Sequence, residues 1–253
     1  MRVLVVTNMW PHPAAPAFGT FVAQQVEALR RLGVEIDVLF VNGKRSRMHY
    51  LLAMPRIWAA LLRRRYDLIH AHYVFSGWLA RFQWWTPVVV SFHGAGEMEG
   101  YQGTLCRWLA PRVAGCTVTS KHHKAQLGWP HARIVPCGVD LARFAPRPQE
   151  EARRALGLDP EARYVLFAGE PRPEKRLELI EAAVTLLRSE DSRVQLLKAI
   201  GQPHDRVPWY MNAADVLVLA SDCEGSPVVI KEAMATKLPI VSTDVGEVAE
   251  VLG

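Results

Sequence analysis

The sequence alternates short apolar runs with amphipathic segments, and it does so twice. Residues 2–7 (RVLVVT) form the first apolar run. Residues 21–32 then place Val22, Val26 and Leu29 at helical spacing, and Gly33 ends that pattern. Further strands are predicted at 35–41, 68–71, 87–92, 117–119 and 134–136. Strands separated by helices indicate βαβ units and a parallel sheet.

The alternation starts again after a proline-rich segment at residues 145–149 (APRPQ). The fold class is therefore predicted to be α/β, with two tandem Rossmann-like domains at 1–145 and 146–253. In the second domain, strands at 164–169, 194–197, 215–220 and 239–242 alternate with helices at 177–187, 208–213 and 227–236, and Gly246 begins a last helix. Ligands of such sheets bind at the carboxyl ends of the strands, so we expect the active site in the cleft between the domains.

The net charge of the sequence changes sign at the same segment. Residues 1–145 contain 17 Lys and Arg against 7 Asp and Glu, whereas residues 146–253 contain 13 against 18. Such an asymmetry favours two modules with different partners. The proportions of hydrophobic residues (50%) and charged residues (22%) exclude a disordered or collagen-like chain.

The cysteines and the apolar stretches argue against a disulfide-rich, zinc-binding, secreted or membrane-spanning protein. The four cysteines are widely spaced, so they form neither a disulfide scaffold nor a zinc motif. Residues 3–6 are too few for the apolar core of a signal peptide. The longest apolar stretch, residues 51–62, is shorter than the ~20 residues that a membrane-spanning helix needs. We therefore predict a cytoplasmic protein.

Residues 224–232 (EGSPVVIKE) carry the strongest chemical pattern. Ser226 and Pro227 predict the N-cap and the first residue of a helix. The N-terminus of a helix attracts phosphate, because its backbone N–H groups are unpaired and carry positive partial charge. We expect these groups at Gly225, Ser226, Val228 and Val229.

Two carboxylates, Glu224 and Glu232, flank this turn. They can accept hydrogen bonds from hydroxyl groups on either side of a diphosphate, which is the chemical layout of a nucleotide sugar. In the alternative interpretation, Glu232 belongs to a charge network with Lys231 or Lys237 on a solvated face.

Residues 213–252 (AADVLVLASDCEGSPVVIKEAMATKLPIVSTDVGEVAEVL) resemble the donor-site block of retaining glycosyltransferases with the two-Rossmann GT-B fold, and in particular their family 4. The Glu-x7-Glu motif of that family falls on Glu224 and Glu232. The resemblance covers almost the whole chain, because the following segments are similar to the family in the same order: MRVLVVTNMWPHPAAPAFGTFVAQQVEAL, YDLIHAH, VVVSFHG, VPCGVDLARF and VLFAGEPRPEKRLELIEAA.

The resemblance implies a metal-independent hexosyltransferase without a cofactor. Such an enzyme moves a sugar from a nucleotide-diphosphate-sugar donor to an acceptor hydroxyl of a lipid, a glycan or a small molecule, and it retains the anomeric configuration. Basic residues and helix dipoles would take the place of a metal at the diphosphate.

The resemblance also assigns roles to single residues. Glu232 would bind the ribose hydroxyls. Glu224 would contact the donor sugar and, with His93 near the reacting carbon, would be catalytic. Lys175 would face the diphosphate, and Gly19 would approach it from the first domain. Beyond the resemblance, the N–H groups of Gly225, Ser226 and Val228 at the start of the predicted helix, and Arg172, are predicted to complete the donor site.

The chain departs from the family in three places. Glu170 stands where the family commonly has Arg, and Arg172 or Arg176 is expected to substitute for it. One strand–helix unit is missing between Leu196 and Asp215, and the sequence stops at Gly253, so we expect an incomplete second domain and a C-terminally truncated chain. Two alternatives follow: a non-catalytic or truncated nucleotide-sugar-binding protein, and a sugar-nucleotide epimerase on the same fold.

Residues 44–65 form an apolar segment between two basic clusters. They predict peripheral contact with an anionic membrane at the cytoplasmic face. The alternative is a pair of core helices with solvated ends, interrupted at Pro55. The basic charge matches no nucleic-acid-binding motif, so no nucleic acid is expected as a partner.

Three further patterns are interpreted as structural. Residues 94–100 have the wrong glycine spacing for dinucleotide binding. His70 and His72 share a strand face but lack a third metal ligand nearby. The adjacent pair His122 and His123 is expected on the surface.

Overall fold

The computed structural model of the chain describes residues 1–43, 46 and 48–253, with residue 95 described by its backbone alone. The described residues divide into two compact units. The first comprises residues 1–12 and 18–137, and the second comprises residues 13–17 and 138–253. The boundary predicted at residue 145 thus lies inside the second unit, eight residues beyond Cys137.

The first unit is built on a six-stranded parallel sheet of order β2-β1-β3-β4-β5-β6. Its strands are β1 Arg2–Thr7, β2 Glu35–Phe40, β3 Leu68–His72, β4 Val88–Phe92, β5 Gly115–Val118 and β6 Arg133–Ile134. Its helices are α1 Thr20–Arg31, α2 Met48–Arg63, α3 Val74–Arg81, α4 Gly100–Leu109 and α5 Lys121–Leu127. All strand pairs are parallel, as the alternation of strands and helices predicted.

The second unit has a four-stranded parallel sheet of order β10-β9-β7-β8. Its strands are β7 Arg163–Ala168, β8 Val194–Ala199, β9 Val216–Leu219 and β10 Ile240–Ser242. Its helices are α6 Gln149–Leu156, α7 Leu177–Glu190, α8 Val207–Ala213, α9 Val228–Ala235 and α10 Val248–Leu252. The predicted α/β class with parallel sheets in two domains is confirmed.

Burial on both sheet faces explains why β1 is a continuous apolar run. Val3 and Val5 pack in one cluster with Val22 of α1. Leu4 and Val6 belong to a second cluster on the other side of the strand. Parallel strands covered on both faces need no polar alternation, so the sequence is apolar at every position from 3 to 6.

Helix α2 runs without a break from Met48 to Arg63, so the predicted interruption at Pro55 is wrong. Proline removes the hydrogen bond to the carbonyl of Leu51, four residues earlier. Both Pro55 and Leu51 lie on the exposed side of the helix, where water can hydrate that carbonyl. Ala53, Ile57 and Leu61 form the buried side. Among the described residues, no helix is both long enough and apolar enough to cross a membrane.

Helix α2 stabilises the fold through the side chains on its buried side. We expect Ile57→Ala to lower the free energy of unfolding by about 2–5 kcal/mol, because it leaves a cavity in the core. Leu62→Ala, at a side chain that is 80% exposed, should change it by less than about 0.5 kcal/mol. Urea denaturation of both variants measures the difference, and equal losses would contradict the assigned orientation of α2.

Candidate functional site

The predicted site residues fall into two groups. Gly19 and His93 belong to the first unit, and the remaining seven belong to the second. Each group lies at the carboxyl ends of parallel strands, where the topology places loops.

Gly19 precedes α1 with φ of 71°, in the left-handed region. A Cβ atom there would lie 2.6 Å from the backbone nitrogen of Trp10, so a larger residue would displace the loop after β1. The structure therefore supplies a steric reason for this glycine. Its predicted contact with the diphosphate stays a prediction.

His93 follows β4 and joins a stack of histidine rings. Its Nε2 lies 2.8 Å from Nδ1 of His72, and the ring of His72 is 4.3 Å from that of His70. Burial lowers the pKa of His70 to about 4 and that of His93 to about 3, and it holds the pKa of His72 well below its usual value. All three rings are therefore neutral near pH 7.

The contact between His72 and His93 fixes a tautomer. One of the two nitrogens must donate, and Nε2 of His72 is buried without a hydrogen-bond partner. If His93 donated, His72 would carry its proton on that orphaned Nε2, and a buried unpaired N–H group costs ~1–3 kcal/mol. Donation from Nδ1 of His72 leaves an unpaired lone pair on that Nε2 instead, which buried sites tolerate better than an unpaired N–H group. It leaves the proton of His93 on Nδ1, the nitrogen that faces the sulfur of Cys137 at 3.8 Å.

Glu97 anchors the backbone at His93, and the sequence analysis did not identify it. Its buried carboxylate accepts hydrogen bonds from the N–H groups of Val74 at 2.6 Å, His93 at 3.0 Å and Gly94 at 3.4 Å. Burial raises the pKa of Glu97 to about 7, against the effect of these three donors. The only sequence signal for this role was the position of Glu97 inside the glycine-rich segment 94–100, which the sequence analysis interpreted as structural.

Only one histidine of the pair His122 and His123 lies on the surface, where both were predicted. His122 is exposed, but His123 is fully buried, and its Nδ1 lies 2.8 Å from the hydroxyl of Thr119. The expected surface position is thus wrong for His123, because α5 turns that side chain toward the sheet. No group of three or more metal-ligating residues is found within residues 1–43, 46 and 48–253.

In the second unit, Glu224 and Lys175 form an ion pair. Glu224 also accepts a hydrogen bond from the hydroxyl of Ser221 at 2.8 Å. Both members of the pair are only 12% exposed, so water screens their attraction weakly. Lys175 comes from the turn after β7 and Glu224 from the loop after β9, and these strands are neighbours in the sheet.

Glu232 is buried on α9 and accepts a hydrogen bond from Nε2 of His204 at 2.8 Å. The ring of His204 packs against Phe144, with 5.1 Å between the ring centroids. The alternative network of Glu232 with Lys231 or Lys237 is therefore wrong. The sequence analysis missed His204, and no local pattern links it to a residue 28 positions away.

Ser226 does not cap helix α9. The helix begins at Val228, with Pro227 in the cap position and no side-chain cap. The hydroxyl of Ser226 instead donates to Glu247 and accepts from Lys231 at 2.9 Å, and Lys231 pairs with Glu247. The predicted cap is thus replaced by a three-residue polar network that ties the loop to α10.

Gly246 brings the start of α10 against the loop that carries Glu224. Its φ is 62°, and a Cβ atom there would lie 2.5 Å from the carbonyl oxygen of Gly225. A side chain at residue 246 would therefore push the loop away from α10.

The arginines near this site are paired with carboxylates. Arg172 lies 3.1 Å from Glu174, and Arg176 lies 3.1 Å from Asp222. Glu170 is exposed at the end of β7. An anion that approaches Arg172 or Arg176 competes with these carboxylates. The substitution of either arginine for the family's usual one stays a prediction.

Comparison with known families agrees with this layout. Glycosyltransferase Family 4 matches residues 1–143, and Glycosyl transferases group 1 matches residues 150–253.

Two named relatives cover the chain to different extents. A Bacillus subtilis glycosyltransferase assigned to teichuronic acid biosynthesis, TuaC, is 25% identical, with 100% of this chain aligned to 83% of that protein. D-inositol 3-phosphate glycosyltransferase of Mycolicibacterium gilvum is 30% identical over 72% of this chain. The match spans 52% of that enzyme, or about half of its length.

Two solved structures share the fold. Sucrose-phosphate synthase of Thermosynechococcus elongatus superposes with a TM-score of 0.81 at 20% identity, over 100% of this chain and 84% of that one. Anabaena HepE in complex with UDP-glucose superposes with a TM-score of 0.66 at 16% identity, over 100% and 83%.

The tautomer of His93 is open to direct measurement. We expect ¹⁵N NMR of the histidine side chains to show the proton of His93 on Nδ1. His72→Asn, whose amide can donate from the same place, should preserve that state, whereas His72→Phe should release His93 to the other tautomer. A wild-type His93 protonated on Nε2 would contradict the assigned direction of the hydrogen bond.

The buried histidines also predict a pH dependence of stability. A histidine whose pKa is depressed on folding favours the unfolded state as the pH falls below the unfolded value of 6.5. We expect the histidine contribution to the free energy of unfolding to fall from pH 6.5 toward pH 4, by up to ~1.4 kcal/mol per pH unit for each histidine. Glu97, whose pKa is raised from 4.5 to about 7, offsets part of this fall between those two values. His70→Gln, which can keep the contact with Ser91, should reduce this slope, whereas the exposed His122→Gln should not. Denaturation at a series of pH values tests this, and an unchanged slope in His70→Gln would refute it.

Proposed function

The chain belongs to glycosyltransferase family 4 and is a glycosyltransferase, and we propose that it transfers a hexose from a nucleotide-diphosphate-sugar donor with retention of anomeric configuration. The single observation that carries this proposal is the arrangement of Glu224 and Glu232 around one turn. Both carboxylates are held by a cationic or nitrogen donor on a neighbouring element.

Glu232 is proposed to bind the ribose of the donor. A buried carboxylate with one oxygen on His204 still has acceptor capacity on the other, and vicinal hydroxyl groups are suitable donors. His204 orients the carboxylate, because it holds Oε1 at 2.8 Å.

Lys175 is proposed to stabilise the diphosphate leaving group. In the described structure its ammonium group is compensated by Glu224. A diphosphate that shares Lys175 would free an oxygen of Glu224 to accept a hydrogen bond from the donor sugar. Positive charge placed where negative charge develops is often the largest contribution to such catalysis. The diphosphate is also proposed to accept hydrogen bonds from the backbone N–H groups of Gly225, Ser226 and Val228 and from the guanidinium group of Arg172. The proposed reaction needs no metal ion.

The roles predicted for Gly19 and His93 are also part of the proposal. His93 is neutral and presents an Nδ1–H group, so its interaction with the donor sugar would be donation of a hydrogen bond to a sugar oxygen. Gly19, which has no side chain, would let the diphosphate come close to the backbone of the loop after β1.

The donor base and the acceptor are proposed by analogy with named proteins. The HepE structure contains UDP-glucose, so UDP-glucose is the first donor to test. TuaC is assigned to teichuronic acid biosynthesis, which favours a glycan acceptor over a small molecule, and a lipid-linked acceptor remains within the proposal. The cytoplasmic location and the membrane contact of residues 44–65 stay predictions. Residues 44, 45 and 47 of that segment lie outside the described residues.

Nucleotide binding tests the role of Glu232. We expect one of UDP, GDP or ADP to raise the melting temperature of the chain. Glu232→Ala should weaken the affinity for that nucleotide by about tenfold or more, because each lost bond to a charged group is worth ~1.5–3 kcal/mol. Calorimetric titration measures the affinity.

The exposed Glu178→Ala serves as the matched control and should leave the affinity unchanged. An unchanged affinity in Glu232→Ala would remove Glu232 from the ribose site. The absence of a melting shift with all three nucleotides would contradict the proposed donor site as a whole.

A further inference from the structure

Four tryptophans lie on the surface of the first unit. Trp84 is 78% exposed and Trp108 is 60% exposed, and Trp58 and Trp85 are also exposed. Trp58 belongs to α2, Trp108 to α4, and the other two to the loop between α3 and β4. Exposed tryptophan is costly in a surface that contacts only water, because its ring is large and mostly apolar.

The four rings and Arg112 lie in two contact groups that meet at one groove. Trp58 contacts Trp85 with 5.2 Å between ring centroids, and Trp85 contacts Trp84 at 5.5 Å. Trp84 and Arg112 line the same shallow groove. The guanidinium group of Arg112 lies 5.1 Å from the centroid of the Trp108 ring. We call Trp58, Trp84, Trp85, Trp108 and Arg112 the tryptophan band.

The outer side of α2 extends this apolar surface. A solvent-facing helix normally carries polar residues on its outer side. The exposed side of α2 instead carries Leu51, Leu62 and Trp58, together with Arg56. The helix thus has apolar residues on both sides, although its buried residues are only Ala53, Ile57 and Leu61 among those that the structure describes.

Positive charge predominates in this part of the first unit, although Arg64 pairs with Asp37 at 3.4 Å and Asp67 is exposed. Residues 48–139 contain ten Lys and Arg but only three Asp and Glu, namely Asp67, Glu97 and Glu99. Of these three, Glu97 is buried. Arg63, Arg64 and Arg65 at the end of α2 are exposed. A partner for this surface must therefore combine an apolar layer with negative charge.

We propose that the tryptophan band and the outer side of α2 bind the surface of an anionic lipid bilayer. Tryptophan rings are favoured at the boundary between headgroups and acyl chains, and arginine side chains reach from that depth to the lipid phosphates. Each basic residue near an anionic membrane contributes ~1 kcal/mol. A second copy of this chain is a poorer partner, because the same positive charge would face itself across the interface.

This surface includes three tryptophans outside residues 44–65, the segment from which the sequence predicted membrane contact. Trp84, Trp85 and Trp108 are separated from α2 in sequence. The packing of α2 against α3 and of α3 against α4 brings their elements together, and Trp85 contacts Trp58 of α2. The proposal does not depend on the identity of the donor or on catalysis.

Vesicle flotation with the full chain tests the proposal. We expect binding to vesicles of phosphatidylcholine with about 30% phosphatidylglycerol, little binding to phosphatidylcholine alone, and weaker binding as salt rises from about 0.1 M to about 0.5 M. Tryptophan emission should shift to shorter wavelength when the anionic vesicles bind.

Two double variants separate the apolar and the charged contributions. Trp84→Ser with Trp85→Ser, and Arg63→Glu with Arg65→Glu, should each lower the partition coefficient by about tenfold or more. Leu186→Ser and Arg154→Glu, at exposed positions of the second unit, are the matched controls and should bind as the wild type does.

Melting temperatures show that each variant is folded. Equal binding of the wild type and the tryptophan variant to anionic vesicles would overturn the proposal, and so would no binding to either vesicle. A dimer in light scattering that the tryptophan variant abolishes, without vesicle binding, would assign the surface to a second copy instead.

Discussion

Parallel pairing of the strands is the constraint on which the rest of the structure depends. Each parallel neighbour requires a crossover, so the helices cover both sheet faces and all strands of a sheet end at the same edge. That edge collects His72, His93 and Gly19 in the first unit, and Lys175 and Glu224 in the second. Residues far apart in the sequence meet there because the strands that precede them are neighbours.

The charged side chains at the candidate site of the second unit are paired with one another. Lys175 is compensated by Glu224, Glu232 is held by His204, and Lys231 is compensated by Glu247. The diphosphate of the proposed donor would have to share or replace these contacts, so part of its attraction to the site would be offset by the interactions that it disturbs. In the first unit, neutral histidines and the carboxylate of Glu97 orient groups through hydrogen bonds rather than through net charge.

In the first unit, the exposed surface formed by the tryptophan band and α2 is built differently from the sheet edge at the carboxyl ends of the strands. The edge is built from side chains fixed by hydrogen bonds, whereas the tryptophan band and α2 expose apolar rings beside arginine. Helices α2 and α4 and the loop after α3 contribute to this surface, and their packing unites tryptophans that the sequence separates by as many as 50 residues. The histidine cluster of His70, His72 and His93 and the surface proposed to bind lipid thus belong to the same unit.

The sequence by itself determined the two parallel α/β units, the bounds of β1, the helical spacing of α1 and α7, and the family resemblance that singles out Glu224 and Glu232. These follow from local periodicity and from motifs, which need no knowledge of distant contacts. Segments of seven to ten residues give little periodic signal, so α3 to α6 were missed, whereas the eight-residue α9 was predicted from Ser226 and Pro227 before it. Only the tertiary structure decided that Glu232 meets His204, that Glu97 holds the backbone of His93, that His123 is buried and that α2 continues through Pro55. Each of these depends on which strands are neighbours and which side of a helix meets the sheet, and local sequence does not specify either.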